Sequence, residues 1–424
     1  MRISGFLFLS FLLTACAFNK HALEKRLEAT ESKFQDHTGF VLYDLGERRT
    51  VYSYHADRYF TPASNTKIFT LFSSLKILGD SIPALKYEDA EDSLIFWGTG
   101  DPSFLYKNVF NASSTLSFLK TVQKPLGYSA SNFHTTCFGP GWAWDDYNDD
   151  YSPERSPFPV YGNIVSADSK GETLMISPRY FEKNFIHKDH GNKGIVRDLH
   201  DNIFWVPLGQ KFKGIDIPYR TSVSLTAQLL SDTLKRPVAL SARRISSAAK
   251  IIFSIPADSL YKVMMQESDN FIADQLLLVC ASVLSDSLKP EITINYVKKN
   301  FLNDIPDKSV WVDGSGLSRY NLFTPRSIAQ LWEKIYALVP RERLFSLLAT
   351  GGKNGTVKNW YKAEQPYIFG KTGTLSNNHC LSGYLVTKKG KTLIFSWMNN
   401  NFTTSTTALR KDMEDILKMI YEKY

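Results

Sequence analysis

The chain is poor in cysteine and has only a mild excess of positive charge. Its 424 residues include four cysteines, no two of which form a Cys-x-x-Cys pair, and this excludes a disulfide framework. No heptad array or fixed-period repeat is present, so neither a coiled coil nor a solenoid is expected. The formal net charge is +8, and the basic residues are scattered rather than clustered, which argues against nucleic-acid binding.

Close histidine pairs and long apolar runs are also scarce. His187 and His190 form the one close pair, and they lie in a polar run typical of a solvated loop, so we predict no metal site and no cofactor. After the N-terminus, no segment approaches the ~20 apolar residues that a membrane-spanning helix needs. The composition, 43% apolar and 22% charged, is that of a soluble globular protein, and the length suggests two or three domains.

The first 16 residues have the features of an export signal. Arg2 precedes a nine-residue apolar run from Gly5 to Leu13, which is too short for a membrane span but suits the core of a secretory signal. The run ends in Leu13-Thr14-Ala15-Cys16, which resembles a bacterial lipobox. We therefore predict a signal peptide over residues 1–15, lipidation of Cys16, and a bacterial periplasmic protein anchored to a membrane through that lipid. A plain signal with an incidental cysteine is the alternative.

Hydrophobic periodicity divides the chain into two helix-and-hairpin ends and a β-rich middle. The elements predicted for the ends are a helix over 20–36, strands over 39–44 and 50–54, a helix beginning at Ser64, helices over 270–284 and 325–336, strands over 381–387 and 391–398, and a closing helix. The middle has short strands, turns rich in proline and glycine, and aromatic clusters. The sequence thus predicts one α/β (α+β) domain, formed by residues 20–84 and 246–424, that a mostly β domain of residues 85–245 interrupts.

Three short motifs carry the chemistry of this sequence. In chain order they are Ser64-Asn-Thr-Lys67, Ser268-Asp-Asn270 and Lys371-Thr-Gly-Thr374, the set found in serine β-lactamases and penicillin-binding proteins. Ser-x-x-Lys alone is weak, because it occurs five times, beginning at Ser64, Ser73, Ser117, Ser247 and Ser259. Ser64 is distinguished by its place at the start of a predicted helix, where Lys67 lies one turn on along the same face.

At these motifs the chain resembles the penicillin-binding D-Ala-D-Ala carboxypeptidase/endopeptidase family of low-molecular-mass class C. The segments that extend the resemblance are Trp97–Pro102, Pro140–Asp146, Asp313–Arg319 and Gly355–Thr356. The resemblance implies a penicillin-binding, serine β-lactamase-like fold with an antiparallel sheet and helices. The long gap between the first two motifs suits the large domain that this family carries there. The sequence departs from the family's pattern at Tyr151, His379 and Cys380.

The family resemblance implies a serine peptidase that cleaves peptidoglycan stem peptides through an acyl-enzyme and is inhibited by β-lactams. Ser64 would be the nucleophile and Lys67 its base. A lysine acts as a base only when neutral, and burial and the nearby charge of Lys371 would both lower its pKa. Ser268 would pass a proton to the departing amine, and the backbone N–H groups of Ser64 and Thr374 would form the oxyanion hole.

Several residues are expected to bind the substrate. By the same resemblance, Asn270 would hold the substrate amide, and Lys371, Thr372 and Thr374 would bind its terminal carboxylate. Asp146, Tyr151 and Arg319 match positions that the family uses near the substrate side chain, whereas Trp142 and Trp144 are interpreted as core residues.

Two alternative functions stay open. A β-lactamase or esterase on the same scaffold would need a dedicated deacylating base. A non-catalytic wall-binding or β-lactam-sensing protein would not need the complete set of site side chains that is present.

Overall fold

A computed structural model describes residues 19–109, 114–188, 191 and 193–424 of the chain. The predicted signal peptide and Cys16 lie outside these residues. Among the described helices, none has both the length and the apolar character that crossing a membrane requires.

Helices and strands occur in both halves of the chain. The helices are α1 (Lys20–Phe34), α2 (Lys67–Ile77), α3 (Ser114–Thr121), α4 (Val223–Leu234), α5 (Ala257–Gln266), α6 (Asn270–Leu284), α7 (Pro290–Phe301), α8 (Pro325–Leu338), α9 (Arg341–Leu347) and α10 (Thr406–Lys423). The strands are β1 (His37–Asp44), β2 (Arg49–Tyr54), β3 (Ser81–Asp89), β4 (Leu94–Gly98), β5 (Leu126–Ser129), β6 (Ile164–Lys170), β7 (Thr173–Ser177), β8 (Phe185–His187), β9 (Val196–Arg197), β10 (Phe204–Val206), β11 (Ile215–Pro218), β12 (Val238–Leu240), β13 (Lys250–Pro256), β14 (Ala349–Thr350), β15 (Ile368–Leu375), β16 (Asn378–Val386) and β17 (Thr392–Asn400).

The two ends of the chain meet in one antiparallel sheet. Its strand order is β14-β15-β16-β17-β1-β2, so β1 from the N-terminal end pairs with β17 from the C-terminal end. Side chains alternate between the two faces of a strand. In β1, Phe40 and Leu42 accordingly pack into one hydrophobic core and Val41 into another. Both faces of this sheet are therefore buried.

Helices cover both faces of the main sheet. On one face, α1 and α10 contribute Leu23, Leu27, Met413 and Leu417 to the core. On the other face, α2, α5, α6 and α8 form the larger core. Residues of α6 are buried on every side from Phe271 to Ser282, which explains why its sequence is apolar beyond a single stripe. Cys280 lies on this helix and is fully buried.

The middle of the chain forms a five-stranded sheet, of order β12-β5-β4-β3-β13, and two three-stranded sheets. Their side chains share a separate core with α3 and α4. In chain order, the first and last strands of the five-stranded sheet are β3 and β13, which run over Ser81–Asp89 and Lys250–Pro256. This sheet thus begins before residue 85 and ends after residue 245. The division of the chain into two domains stays a prediction.

The start of α2 differs from its predicted form. Ser64 lies in a short 3₁₀ turn over Ala63–Thr66, and the α-helix begins only at Lys67. Ala63 has a φ of 48°, and the Thr66 hydroxyl donates to the Ala63 carbonyl at 2.9 Å. These features tighten the turn. Ser64 therefore sits at the entry of α2, and Lys67 still lies one turn further on.

Candidate active site

The three sequence motifs meet at one open cleft of about 1030 Å³. Ser64 comes from the turn before α2, Ser268 and Asn270 from the start of α6, and Thr374 from β15. The other predicted residues that line the cleft are Asp146, Tyr151 and Arg319. Residues far apart in the sequence thus share one surface.

Lys67 and Ser64 are joined by a hydrogen bond. Their Nζ and Oγ atoms are 3.0 Å apart, and the Lys67 side chain is fully buried. The same Nζ donates to Asn270 Oδ1 at 2.5 Å and to the carbonyl of Ser315 at 2.7 Å. A neutral amine has two N–H groups and one lone pair. In a neutral Lys67 whose two N–H groups bind Asn270 and Ser315, the lone pair would be left for the Ser64 hydroxyl, as general-base catalysis requires.

Burial brings the neutral form of Lys67 within reach of physiological pH. Burial lowers the pKa of Lys67 to about 8, against the opposing effect of the carboxylates of Asp274, Asp313 and Asp269. Burial also lowers the pKa of Lys371, and the charge of Lys67 lowers it further. The sequence predicts that burial and the charge of Lys371 both lower the pKa of Lys67. Burial is the main cause.

Ser268 is held by a second buried amine. Lys371 Nζ lies 2.8 Å from Ser268 Oγ and also donates to the carbonyl of Thr372 at 2.7 Å. Ser268 has a φ of 66°, and the next residue, Asp269, caps α6 by accepting from the N–H of Ile272. The Ser-Asp-Asn motif therefore serves both as a helix cap and as part of the cleft wall.

The first and third motifs are in direct backbone contact. A Cβ atom on Gly373 would lie 2.5 Å from the Pro62 carbonyl and 2.8 Å from the N atom of Ser64. The side chain of Asn65 strengthens this contact, since it donates to the Lys371 carbonyl at 3.1 Å and accepts from Ser382 Oγ. Strand β15 is thus fixed beside the Ser64 turn.

The predicted carboxylate-binding residues differ in exposure. Thr374 is exposed and lines the cleft, whereas Lys371 and Thr372 are buried beneath it. The Thr372 hydroxyl lies 2.7 Å from that of Thr356. Thr374 alone of the three therefore presents its side chain at the cleft surface.

The three residues expected near the substrate side chain do lie together in the cleft. The Tyr151 hydroxyl lies 2.9 Å from both Asp146 Oδ1 and Asp149 Oδ2 and shares its one hydrogen between them. The Tyr151 carbonyl accepts from Asn270 Nδ2 at 2.9 Å. Partial burial raises the pKa of Asp146, while Arg319 opposes that shift. This end of the cleft has an acidic side and a cationic side.

The interpretation of Trp142 and Trp144 as core residues is wrong. Trp144 is 76% exposed. Trp142 lines the cleft and donates from Nε1 to Asp313 Oδ2 at 2.9 Å. The segment around them is an irregular turn between Gly141 and a short 3₁₀ helix, so it has no periodic face that could pack both rings into a core.

Sequence reasoning missed the loop that begins at Asp313. The Asp313 carboxylate accepts from the backbone N–H groups of Gly316 and Ser318 and from the Asn321 amide. These bonds shape the loop so that the Ser315 carbonyl meets Lys67. The Asp313–Arg319 segment is part of the family resemblance. A sequence does not show directly, however, which backbone carbonyl accepts a hydrogen bond from a buried lysine.

The comparisons with known proteins agree with this geometry. The sequence profile of the D-Ala-D-Ala carboxypeptidase 3 (S13) family matches residues 19–187 and 224–423. The chain belongs to this family. Membership confirms the predicted enzyme class, a serine-type D-Ala-D-Ala carboxypeptidase.

Individual relatives are distant but span most of the chain. D-alanyl-D-alanine carboxypeptidase DacB of Haemophilus influenzae is 22% identical over 421 residues, which cover 86% of each chain. Penicillin-sensitive carboxypeptidase A of Dictyostelium discoideum is 22% identical over 88% of this chain and 84% of its own. The crystal structure of H. influenzae penicillin-binding protein 4 has a TM-score of 0.74 at 20% identity and covers 96% of this chain and 100% of its own. This likeness confirms the predicted fold class.

We expect Gly373→Ala to slow acylation of the enzyme by penicillin at least tenfold. The added methyl group would overlap the Pro62 carbonyl and the Ser64 N atom, so β15 and the Ser64 turn must separate. Stopped-flow acylation, with circular dichroism to verify folding, measures this effect.

Gly79→Ala is the matched control, because no atom lies within 4 Å of the position that an added Cβ would take there, and the φ of Gly79 is not positive. A folded Gly373→Ala protein that acylates at the wild-type rate would show that the close contact does not position Ser64.

Proposed function

We propose that this D-Ala-D-Ala carboxypeptidase acts through an acyl-enzyme on Ser64, with Lys67 as the general base. The observation that carries the proposal is the 3.0 Å contact between Lys67 Nζ and Ser64 Oγ. The other two partners of this amine, Asn270 Oδ1 and the Ser315 carbonyl, are both hydrogen-bond acceptors. A serine hydroxyl is a weak nucleophile without an adjacent base. This arrangement supplies one.

The reaction begins when Ser64 Oγ attacks the carbonyl carbon of the D-Ala-D-Ala bond and its proton moves to Lys67 Nζ. The backbone N–H groups of Ser64 and Thr374 stabilise the resulting oxyanion. The C–N bond then breaks, and Ser268 Oγ donates a proton to the departing amine. Lys67 passes its proton to Ser268 and is neutral again. In the second half of the cycle, water attacks the ester carbon and gives a proton to Lys67, which returns it to Ser64 Oγ as the acyl–Oγ bond breaks.

The substrate's C-terminal carboxylate binds beside β15 in this proposal. Thr374 offers a hydroxyl at the cleft surface, while Lys371 and Thr372 lie directly beneath. A carboxylate near Lys371 favours the charged form of that amine and so raises its pKa again. Asn270, already held by Lys67 and by the Tyr151 carbonyl, orients the substrate amide.

The far end of the cleft supports endopeptidase activity as well. This end of the cleft suits a group that carries both an amine and a carboxylate. Asp146 and Tyr151 lie on the side that suits the amine, and Arg319 lies on the side that suits the carboxylate. The free end of a diaminopimelyl residue in a D-Ala-meso-diaminopimelyl cross-link has this chemistry. A predatory peptidoglycan endopeptidase from Bdellovibrio bacteriovorus has the same fold, with a TM-score of 0.53 at 14% identity over 91% of this chain and 92% of its own.

β-Lactams are inhibitors in this proposal, because their strained carbonyl and carboxylate resemble the reacting end of the substrate. A second crystal structure of H. influenzae penicillin-binding protein 4 holds a β-lactam, which supports the inference. A β-lactamase would need a dedicated deacylating base. Among the described residues, no glutamate lines the cleft beside Ser64, and Glu267 lines a neighbouring cleft next to Ser268. A protein that only binds the wall would not need a base beside a serine hydroxyl.

We also propose that the mature protein is a bacterial periplasmic lipoprotein anchored through Cys16. The apolar run that ends in Leu13-Thr14-Ala15-Cys16 supports this location. The substrate, peptidoglycan, lies in the same compartment.

Excess penicillin is expected to add one adduct to the protein, on the peptide that contains Ser64. Intact-mass spectrometry and peptide mapping measure it. Ser64→Ala should abolish the adduct. Ser73→Ala is the matched control, because Ser73 also begins a Ser-x-x-Lys motif but is fully buried and donates to the Phe69 carbonyl. An adduct that persists in Ser64→Ala would refute the assignment.

Replacement of Cys16 by serine should move the protein from the membrane fraction to the soluble periplasmic fraction. The reason is that serine cannot form the thioether that carries the lipid. Cell fractionation and immunoblotting, with Cys137→Ser as the control, measure the change. Retention of Cys16→Ser in the membrane would contradict the lipid anchor.

A further inference from the structure

A buried histidine lies directly behind the cleft threonine. His379, on β16, is the register partner of Thr374 on β15. Its Nδ1 atom is 2.8 Å from Thr374 Oγ1, and the side chain is 1% exposed. Its other ring nitrogen, Nε2, is buried and has no hydrogen-bond partner among the described residues. The imidazole therefore has one polar contact, and that contact is with a proposed substrate-binding residue.

Burial keeps the His379 ring neutral. Burial, together with the positive charges of Arg410 and Lys371, lowers the pKa of His379 to about 3. A neutral imidazole has one N–H group, on either Nδ1 or Nε2. The tautomer decides which way the hydrogen bond with Thr374 runs.

The two tautomers leave different atoms unsatisfied. If Nε2 carries the proton, an N–H group is buried without an acceptor, which is rare in proteins. If Nδ1 carries it, only a lone pair on Nε2 stays unpaired, and unpaired acceptors are better tolerated. The burial of Nε2 thus favours the Nδ1–H tautomer, which donates to Thr374 Oγ1.

This direction has a consequence for Thr374. A hydroxyl has one hydrogen and two lone pairs. When a lone pair accepts from His379, the single hydrogen is free to point into the cleft. If the bond ran the other way, the Thr374 hydrogen would point at the ring and the cleft would face lone pairs, which repel a carboxylate.

We propose that His379 is a positioning residue that donates from Nδ1–H to Thr374 Oγ1 and so turns the Thr374 hydroxyl hydrogen toward the free carboxylate of the substrate. This inference deepens the proposed function and rests on it. It assigns part of the selectivity for a C-terminal carboxylate to a residue that does not line the cleft.

The tautomer is measured directly by ¹⁵N NMR of the full chain with labelled histidine. We expect the His379 signals to show a protonated Nδ1 and an unprotonated Nε2, with His379→Asn used to assign them. A proton on Nε2 would overturn the proposal. This measurement does not depend on catalysis, so it tests the hydrogen bond even if the enzyme does not cleave D-Ala-D-Ala.

The kinetic test compares peptides that end in D-Ala-D-Ala with a free or an amidated C-terminus. His379→Leu should raise KM for the free acid at least fivefold and change kcat less than twofold, with little effect on the amidated peptide. His379→Asn should restore the wild-type KM, because its Nδ2 is the same number of bonds from the backbone as Nδ1 of histidine. His134→Leu is the matched control, since exposed His134 also contacts a hydroxyl, that of Ser287.

A double-mutant cycle separates positioning from general destabilisation. In a Thr374→Val background there is no hydroxyl to orient, so His379→Leu should add no further loss for the free acid. Equal losses in both backgrounds, or equal losses for both peptides, would overturn the proposal. If the wild type neither cleaves the peptides nor is acylated at Ser64, the proposed function fails instead, and the NMR result still decides the tautomer.

Discussion

The burial of the Lys67 amine is the constraint on which the rest of the site depends. Removal of an ammonium from water disfavours its charged form, and in this protein it lowers the pKa of Lys67 to about 8. The three nearby carboxylates act in the opposite direction and limit the shift. The result is an amine that loses its proton near physiological pH while it is held in place by Asn270 and Ser315. A base of matched pKa at hydrogen-bond distance is what a serine nucleophile needs.

Three segments that are far apart in the sequence form the site around this amine. The turn before α2 provides Ser64, the start of α6 provides Asn270, and the loop after Asp313 provides the Ser315 carbonyl. Strand β15 completes the site, because Gly373 allows it to approach the Ser64 turn without a side chain between them. Local backbone features that are costly elsewhere, such as the positive φ of Ala63 and Ser268, occur at these junctions. The packed helices α2 and α6 hold them.

Much of the architecture is predictable from the sequence, because periodic burial leaves a clear pattern. Helix α6 begins and ends at the predicted residues, 270 and 284, and helix α8 begins at the predicted residue, 325. The central residues of the site are predictable too, since Ser64, Lys67, Ser268 and Lys371 occur in ordered motifs. The sequence boundaries of the middle sheet are less predictable. Its first and last strands, β3 and β13, pair with each other although the whole insertion separates them in the chain.

What sequence does not predict depends on loops and on tertiary neighbours. The exposure of Trp144 follows from an irregular turn that has no periodicity. The role of the Ser315 carbonyl follows from the hydrogen bonds of Asp313, which fold a loop rather than a regular element. The burial of Thr372 against Thr356 depends on a contact between β15 and a separate turn. His379 stands out in the sequence only as a departure from the family pattern, and its contact with Thr374 requires the strand register.

The pH dependence of acylation tests the central claim, that neutral Lys67 is the base for Ser64, most directly. The measurement is the rate constant for acylation of the free enzyme by a penicillin, followed from about pH 6 to about pH 10. Because only the deprotonated amine can accept the serine proton, the rate should rise about tenfold per pH unit at low pH and level off above about 8. The rise should vanish in Lys67→Ala together with most of the activity. A flat profile, or a rise centred near the ordinary lysine pKa of about 10.4, would contradict the account.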